Sequence, residues 1–303
     1  MPSPQVSVLI PAYFSDDTLA ECLLSLRHQS FRDFEVILVN SSPDDGARRV
    51  AQQFPEVLFE QAPRRLLPHA ARNRGAERAR GEILVFTDPD CRADPDWLAR
   101  LLEAHRAGHP LVCGSIELQD KPGDWFASGI HLCKYSFRLS GLRAGHTWVA
   151  GTANASCTRR VWESIGPFDG DRFAGDALYS WRAAAKTWQP WFEPRAITEH
   201  RYTGTFRSFC RERCSRGQDF ADARVTFERW SRVRLGMHLI AFPALVSVAV
   251  TRGAIEAYRA GWGRHFVWTF PLQVAGHAAW SLGEAATHLR LMLAPRQSSA
   301  RDA

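Results

Sequence analysis

The sequence contains no Cys-x-x-Cys pair, and its seven cysteines are irregularly spaced. A structural zinc site needs paired cysteines or a matching set of histidines, and a disulfide framework needs an even number of cysteines. Cys210 and Cys214 lie four residues apart, but no second pair accompanies them. The sequence therefore excludes a zinc-ribbon or disulfide-rich class and predicts reduced, mostly buried thiols in a cytosolic compartment.

The sequence also lacks a long uninterrupted apolar run. No basic segment precedes the first apolar run, so a signal peptide is not expected there. The two most apolar segments, residues 235–250 and 265–282, contain histidine, proline or glutamine and fall at or below the roughly 18–20 residues of a membrane-spanning helix. They are interpreted as interfacial helices, short spans or a buried helical subdomain, and we expect membrane association, either spanning or lying on the surface.

No nucleic-acid-binding motif accompanies the positive charge of the chain. Residues 201–234 carry nine arginines against four acidic residues, which is nearly the whole net charge of +6. Such a segment can face nucleic acid, phosphorylated substrates or an anionic membrane. No zinc finger or RNA-recognition signature is present, and the segment lies directly before the apolar helices. This arrangement favours the cytoplasmic face of a membrane, with the cytosol as the alternative, and no nucleic-acid partner.

The first part of the chain alternates between strand-like and helix-like segments, which predicts an α/β fold with a mainly parallel sheet flanked by helices. Residues 119–148 show no such pattern and are interpreted as a long connection, and the apolar segments predict a C-terminal helical appendage. The predicted strands are residues 6–10, 34–39, 57–59, 82–87, 111–116, 188–192 and 196–200.

Polar residues follow the predicted strands, where ligands bind in sheets of this type. Asp88 and Asp90 follow a buried strand one residue apart, and a divalent cation would relieve the repulsion between two such carboxylates. The alternative is an ordinary Asp-Pro-Asp turn. Asn40 and Tyr13 end the second and first strands and could contact a base, although asparagine is also common in turns.

Two further residues have both a structural and a functional interpretation. Arg72 could reach a diphosphate or could be a solvated helix residue. Asp176 stands at the predicted start of a helix near residue 175, where it could be an N-cap or, if it lies in a cleft, a general base.

Taken together, these segments resemble the family 2 glycosyltransferases, whose fold is of the GT-A type. The resemblance runs from residue 6 to residue 217 and depends on many short motifs that occur in the same order. They include residues 6–13, 18–26 and 34–40, Arg72-Asn73-Arg74-Gly75, residues 81–90 ending in Asp88-Pro89-Asp90, residues 95–98, Gly151-Thr152-Ala153-Asn154, Gly166-Pro167-Phe168-Asp169, and Asp176 with Trp181-Arg182.

The resemblance implies a role for each matching residue. Asp90 would ligate Mg²⁺ or Mn²⁺, with Asp88 near the ribose and the metal, and His200 would assist. Asp176 would deprotonate the acceptor hydroxyl. The remaining residues would bind the nucleotide-sugar: Pro11, Ala12 and Tyr13 would line the nucleoside pocket, Asn40 would lie at the base edge, and Arg72 would approach the diphosphate.

Three positions depart from the family pattern. Asn40 replaces the usual aspartate at the base edge, Phe14 replaces an asparagine, and Gly175 replaces the glutamate that precedes the catalytic aspartate. The Gln-x-x-Arg-Trp motif of processive synthases is also absent. The implied activity is therefore non-processive, with one or a few sugars transferred.

The expected function is inverting transfer of a sugar from a nucleoside-diphosphate-sugar to a hydroxyl of a glycan, glycolipid or small molecule. Two alternatives are a catalytically silent nucleotide- or glycan-binding protein on this scaffold and a nucleotidyltransferase, although the latter should carry a glycine-rich phosphate loop after the first strand. The sugar, base and acceptor are not fixed by the sequence. The expected division is a nucleotide-sugar half (1–118), an acceptor and catalytic half (119–230), an apolar helical segment (231–296) and a polar tail (297–303).

Overall fold

Strands and helices alternate through the first two thirds of the chain, and helices alone make up the rest. The computed structural model describes residues 3–119, 123–202 and 204–294, so the predicted polar tail lies outside the described residues. The strands in these ranges are β1 (Val6–Ala12), β2 (Phe34–Asn40), β3 (Val57–Gln61), β4 (Ile83–Thr87), β5 (Cys91–Ala93), β6 (Leu111–Leu118), β7 (Gly145–His146), β8 (Asn154–Thr158) and β9 (Trp191–His200).

The helices flank the sheet and then extend beyond it. Those within the described ranges are α1 (Asp16–Arg27), α2 (Gly46–Ala51), α3 (Pro68–Arg78), α4 (Trp97–Arg106), α5 (Trp125–Tyr135), α6 (Arg159–Ile165), α7 (Gly175–Ala184), α8 (Phe206–Glu228), α9 (Arg232–Ile240), α10 (Phe242–Arg259), α11 (Gly263–Trp268) and α12 (Phe270–Leu293).

All strands that the structure describes belong to one mixed sheet, in the order β3-β2-β1-β4-β8-β6-β9-β5, with β7 beside β9. The first four strands in this order, β3, β2, β1 and β4, are all parallel to one another. Strand β8 is antiparallel to both β4 and β6, and β9 is again parallel to β6. The predicted α/β fold is confirmed, and strands from both predicted halves, 1–118 and 119–230, share this sheet.

The sheet has an apolar face on each side because successive side chains of a strand point in opposite directions. Val8 and Ile10 pack with Leu23 of α1 and Trp97 of α4 on one side. On the other side Leu9 belongs to a cluster with residues of β4, α3 and α7. Burial on both faces explains why these strands are continuous apolar runs in the sequence.

Two expectations about the middle of the chain are wrong in detail. Residues 119–148 are not only a connection, because α5 forms within them, and the side chain of Asp124 caps α5 by accepting from the amide of Ala127. The two short strands predicted at 188–192 and 196–200 are one strand, β9. Its register against β6 shifts after Gly114, which accommodates residues 194–196 as an irregularity.

The C-terminal helices pack on α5 and α8 rather than forming a separate bundle. Buried Gln273 of α12 donates to the carbonyl of Gly129 in α5, and Arg224 of α8 pairs with Glu284 of α12. By length and composition, none of the helices in the described ranges could cross a membrane alone, and only α9 and α10 could do so together, as a pair bent by 69°.

Candidate functional site

The residues singled out in the sequence gather at one edge of the sheet. The parallel strands β1, β2 and β4 end there, and β9 ends there as well. The antiparallel strands β5 and β8 begin at the same edge, since Cys91 is paired with His200 and Asn154 with Thr87. The fold therefore brings the loop after β4, the start of β8 and the end of β9 to a common location.

Asp88 is held by a buried arginine. The guanidinium of Arg72, in α3, forms an ion pair with Asp88 Oδ1 and lies 3.5 Å from the carbonyl oxygen of Thr152. The Arg72 side chain is 2% exposed, whereas that of Asp88 is 28% exposed. Arg72 thus orients Asp88 from behind, and a direct contact between Arg72 and a diphosphate stays a prediction.

Asp90 lies beside His200, and Cys91 joins them. Asp90 Oδ2 is 3.4 Å from His200 Nε2, and the ligand atoms of Asp90, Cys91 and His200 all lie within 4.8 Å of one another. Asp90 Oδ1 is buried and has no hydrogen-bond partner among the described residues. A carboxylate oxygen left without a partner beside an imidazole is a suitable place for a divalent cation.

The electrostatics of this group favour oxygen and imidazole ligands over the thiol. Burial raises the pKa of Asp90, and the charge of His200 opposes that rise. Burial and the neighbouring carboxylates raise the pKa of Cys91 well above its ordinary value. Cys91 is therefore a neutral thiol at the wall of the site, and the residues present suit Mg²⁺ or Mn²⁺.

An aromatic layer behind His200 was not anticipated from the sequence. The ring of Tyr202 stacks on His200 with centroids 4.7 Å apart, and Tyr135 of α5 lies 5.8 Å from the same imidazole. The hydroxyl of Tyr202 is 3.4 Å from Nδ1 of buried His131. The spacing of His131 and Tyr135 at i and i+4 was the available signal, but their segment showed no pattern of strands or helices.

Asp176 lies in the first turn of α7 without being its N-cap. The N-cap position is Ala174, so that structural alternative is wrong. Asp176 Oδ1 accepts from the amide of Ala177 at 2.8 Å, and Oδ2 lies 3.4 Å from the amide nitrogen of Thr152. Burial raises the pKa of Asp176, and the backbone donors oppose that rise.

Asp88 and Asp176 are connected through the backbone of one residue, Thr152. Thr152 donates its amide to Asp176 and offers its carbonyl to Arg72, which pairs with Asp88. This network spans the sheet edge from β4 to α7. The motif Gly151-Thr152-Ala153-Asn154 singles out this segment, but Thr152 makes these contacts through its backbone, so the sequence does not indicate its partners.

His69 explains why a glycine precedes Asp176. A Cβ at Gly175 would lie 2.7 Å from the carbonyl oxygen of Asp169 and 2.7 Å from Cδ2 of His69. The His69 ring is buried, 4.0 Å from Asp176 Oδ1 and 3.1 Å from the carbonyl oxygen of Phe173. Burial lowers the pKa of His69 to about 3, so a neutral imidazole occupies the space beside Asp176.

The predicted nucleoside pocket is only partly open. Tyr13 is 38% exposed, and the guanidinium of Arg65 lies 4.7 Å from its ring centroid. Pro11 and Ala12 are buried within β1, opposite Val39 and Asn40. The site thus offers an aromatic ring with a cation above it, a surface on which a base could stack.

Asn40 is fully buried, and its amide is satisfied within the protein. Asn40 Oδ1 accepts from the amide and hydroxyl of Ser42, and Nδ2 donates to Gln61 Oε1 at 2.9 Å. The hydroxyl of Ser42 also accepts from the amide of Phe14. A direct contact between Asn40 and a base would require this network to open, so that contact stays a prediction.

Phe14 adopts a backbone conformation that is unusual for its type. Its φ of 48° lies in the left-handed region, where asparagine and glycine are favoured over bulky residues. The residue is 57% exposed and contacts the edge of Tyr13, with centroids 4.6 Å apart. The loop after β1 therefore keeps the backbone shape that suits asparagine while presenting a second aromatic side chain.

Comparison with known proteins assigns the chain to a family. The model of glycosyl transferase family 2 matches residues 7–166, more than half of the sequence. This chain is a family 2 glycosyltransferase. The match ends before Asp176 and His200, so their roles depend on the geometry given above.

Curated relatives agree with this assignment. The glycosyltransferase is 31% identical over 187 residues to glycosyltransferase AglE of Haloferax volcanii, a match that covers 58% of this chain and 60% of the relative. It is 27% identical to the undecaprenyl-phosphate 4-deoxy-4-formamido-L-arabinose transferase of Aeromonas hydrophila, over 46% of this chain and 48% of the relative. The matches thus span less than two thirds of either relative.

A solved structure shares the fold across nearly the whole glycosyltransferase. The mannosyltransferase PcManGT of Pyrobaculum calidifontis, solved with GDP-Man and Mn²⁺, superposes with a TM-score of 0.62 at 20% identity. The superposition covers 95% of this chain and 88% of the other. This similarity confirms the predicted GT-A fold.

Proposed function

We propose that this glycosyltransferase moves a sugar from a nucleoside-diphosphate-sugar to a hydroxyl acceptor in a metal-dependent, inverting and non-processive reaction. The observation that supports this most is the shared sheet edge, where Asp88, Asp90 and His200 are connected to Asp176 through Arg72 and Thr152. Glycosyl transfer of this type needs a diphosphate site beside a base, and this network brings candidate residues for both together.

Asp90 and His200 would hold the cation, with Asp88 beside them. A bound Mg²⁺ or Mn²⁺ would offset the negative charge that develops on the departing nucleoside diphosphate. The buried Asp90 Oδ1, which lacks a partner among the described residues, supports this assignment. The related mannosyltransferase was solved with GDP-Man and Mn²⁺, which also supports a nucleotide-sugar and a divalent cation here.

Asp176 would remove the acceptor proton. Its two oxygens are held by the amides of Ala177 and Thr152, which fix the direction of its lone pairs. Burial raises its pKa, which makes the carboxylate a stronger base than an exposed one. One base acting in a single displacement inverts the anomeric centre.

The acceptor would be a glycan or a lipid-linked molecule at a membrane surface. Helices α9 to α12 expose large apolar side chains, among them Ile240 and Val267 at 85% and 74%. The arginine-rich segment 201–234 leads into them and includes the first residues of α9. Such a combination suits an anionic membrane surface. The name of the Aeromonas hydrophila relative includes an undecaprenyl-phosphate, which favours a lipid-linked acceptor.

Donor binding can be tested by thermal shift with a panel of nucleoside diphosphates, with and without Mn²⁺. We expect one nucleotide to raise the melting temperature only when the metal is present, since Asp90 would bind the cation and the cation would bind the diphosphate. Asp90→Asn should abolish this shift, and Asp17→Asn, at an exposed position in α1, should retain it. The absence of any metal-dependent shift would contradict the proposed donor site.

Catalysis can be tested separately with Asp176→Asn. We expect donor binding to be nearly intact and turnover of the matched nucleotide-sugar to fall by about 10²- to 10⁴-fold, because the variant cannot accept a proton. The exposed Asp171→Asn variant is the control. Unchanged turnover in Asp176→Asn would exclude it as the base, and a wild-type protein that binds donor but never releases sugar would support the silent-binder alternative.

A further inference from the structure

A cavity of about 640 Å³ lies away from the catalytic edge, and three arginines line it. It is formed by the segment after α5, the first residues of β9 and the end of α10. Phe192 of its wall lies near the start of β9, eight residues before His200, which places the two roughly 25 Å apart along the strand. The cavity is therefore separate from His200 and from Asp90 beside it.

Arg138, in the turn after α5, is the most informative residue of this cavity. It is 5% exposed, and its guanidinium donates to Thr147 Oγ1 at 3.1 Å and to the carbonyl oxygen of Val149. The rings of Phe137 and Phe192 lie within 5.5 Å of it. No carboxylate among residues 3–119, 123–202 and 204–294 forms an ion pair with Arg138, whose hydrogen-bond acceptors are neutral, so its charge is buried without a counter-ion.

The other two arginines come from different elements. Arg143 is exposed and forms no ion pair with any carboxylate that the structure describes. Arg259, at the end of α10, pairs only with Glu256 of its own helix, at 2.9 Å, and its side chain is 66% exposed. Three guanidinium groups thus meet one carboxylate, which leaves the cavity with an excess of positive charge.

We propose that this cavity binds a phosphate group, as a monoester or a diester. A buried cation without a counter-ion is costly, and an anion seated against Arg138 would remove that cost. Guanidinium groups from the segment after α5 and from α10 can together contact several oxygens of a tetrahedral anion, which has more oxygens than a carboxylate. The phosphate could come from a soluble molecule or from a lipid headgroup, since exposed Tyr258 and Ile255 lie beside Arg259 on α10.

The test compares wild type with Arg143→Ala/Arg259→Ala, whose two side chains are exposed. Arg252→Ala/Arg264→Ala is the matched control, because it removes the same charge from exposed positions that do not line the cavity. One arm titrates inorganic phosphate by calorimetry in the presence of a chelator, so that no metal can hold phosphate at Asp90. The other arm measures sedimentation with phosphatidylcholine vesicles, with and without phosphatidylglycerol.

If the ligand is soluble, wild type and the control should bind phosphate equally well, and the cavity variant should bind it about tenfold more weakly. A lipid headgroup predicts that wild type and the control bind phosphatidylglycerol vesicles and that the cavity variant loses about tenfold in affinity. Equal behaviour of the two double variants in both arms would overturn the proposal. Neither arm uses Asp90 or Asp176, so the proposed catalytic function stands or fails independently.

Discussion

Gly175 and His69 share a space that can hold only one side chain. The imidazole of His69 fills the volume where a Cβ on residue 175 would begin, and the carbonyl oxygen of Asp169 closes it from another direction. A glutamate before Asp176 would therefore need both neighbours to move. The replacement of glutamate by Gly175 follows from this packing and does not by itself indicate loss of activity.

This packing predicts that Gly175→Ala destabilises the protein by about 1–3 kcal/mol, since overpacking a filled site forces its neighbours to shift. His69→Ala should relieve part of that cost, so the double variant should lose less stability than the two single variants combined. Urea unfolding measures all three free energies. Gly123→Ala is the control, because a Cβ there meets no atom of the described residues within 4 Å, and an equal loss in this control would contradict the prediction.

The sequence allows single candidate site residues to be identified, but not the residues that they contact. Asp88, Asp90 and Asp176 could be singled out because a carboxylate that follows a buried strand or begins a helix lies where ligands bind in α/β sheets. The network that buries Asn40 could not be predicted, because Ser42 and Gln61 reach it through turns and strand pairing. The same holds for His69, whose partners Phe168, Phe173 and Asp176 lie about 100 residues further along the chain.

Among the helices, α8 and α12 approach each other so closely that their backbones touch. Gly217 of α8 lies against the carbonyl group of Trp280, and Gly283 of α12 lies against the carbonyl group of Cys214. A Cβ at Gly283 would also lie 2.9 Å from the amide nitrogen of Gln218. Two glycines, one on each helix, thus set the separation of this pair.

We expect Gly283→Ala to destabilise the protein by about 2–3 kcal/mol, because the helices must separate to admit the new methyl group. In an open helix the same change stabilises by up to about 1 kcal/mol. Gly236→Ala in α9 is the matched variant in an open position, since the new Cβ would lie 3.9 Å from Met292 Sδ, its nearest neighbour among the described residues. Thermal or urea unfolding should therefore give opposite signs for the two variants, and a stabilising Gly283→Ala would contradict the close approach.

Element boundaries were predicted best where the periodicity was simple. The apolar runs that became β1, β2 and β4 were recognised because both faces of these strands are buried. Helix α5 was missed because it is buried almost all round, from Ala127 to Cys133, and so lacks the alternation of apolar and polar residues on which the prediction depends. Strand β9 was divided at Pro194, where its irregularity interrupts the pairing.

For the molecule as a whole, the sheet topology determines which of the predicted site residues lie together. The order of the parallel strands placed the residues after β1, β2 and β4 together, as expected for an α/β sheet. The insertion of β8 between β4 and β6 could not be anticipated, because antiparallel pairing across about 40 to 75 residues leaves no local signal. That insertion carries Thr152 to the site and connects Asp88 to Asp176.

Several histidines are buried in neutral form, which makes the stability of the whole molecule depend on pH. Burial lowers the pKa of His69 and His131 to about 3 and that of His105 to about 4. In the unfolded chain each would titrate near its ordinary pKa of about 6.5. Below that value the unfolded state binds protons that the folded state does not, so the free energy of unfolding must fall as the pH falls.

We expect this loss to begin near pH 6.5 and to continue to about pH 4, at up to about 1.4 kcal/mol per pH unit for each histidine. The raised pKa of Asp176 acts in the opposite direction, because its folded carboxyl binds a proton at a higher pH than the unfolded one; this gain begins at the raised folded-state pKa and ends near the ordinary carboxyl pKa. Urea unfolding at intervals between about pH 7.5 and pH 4.5 measures the slope of the free energy of unfolding against pH. His105→Gln, which can keep the contact with Ser156, should remove about one histidine's share, whereas exposed His28→Gln should not. A slope that is the same in wild type and in His105→Gln would contradict this prediction.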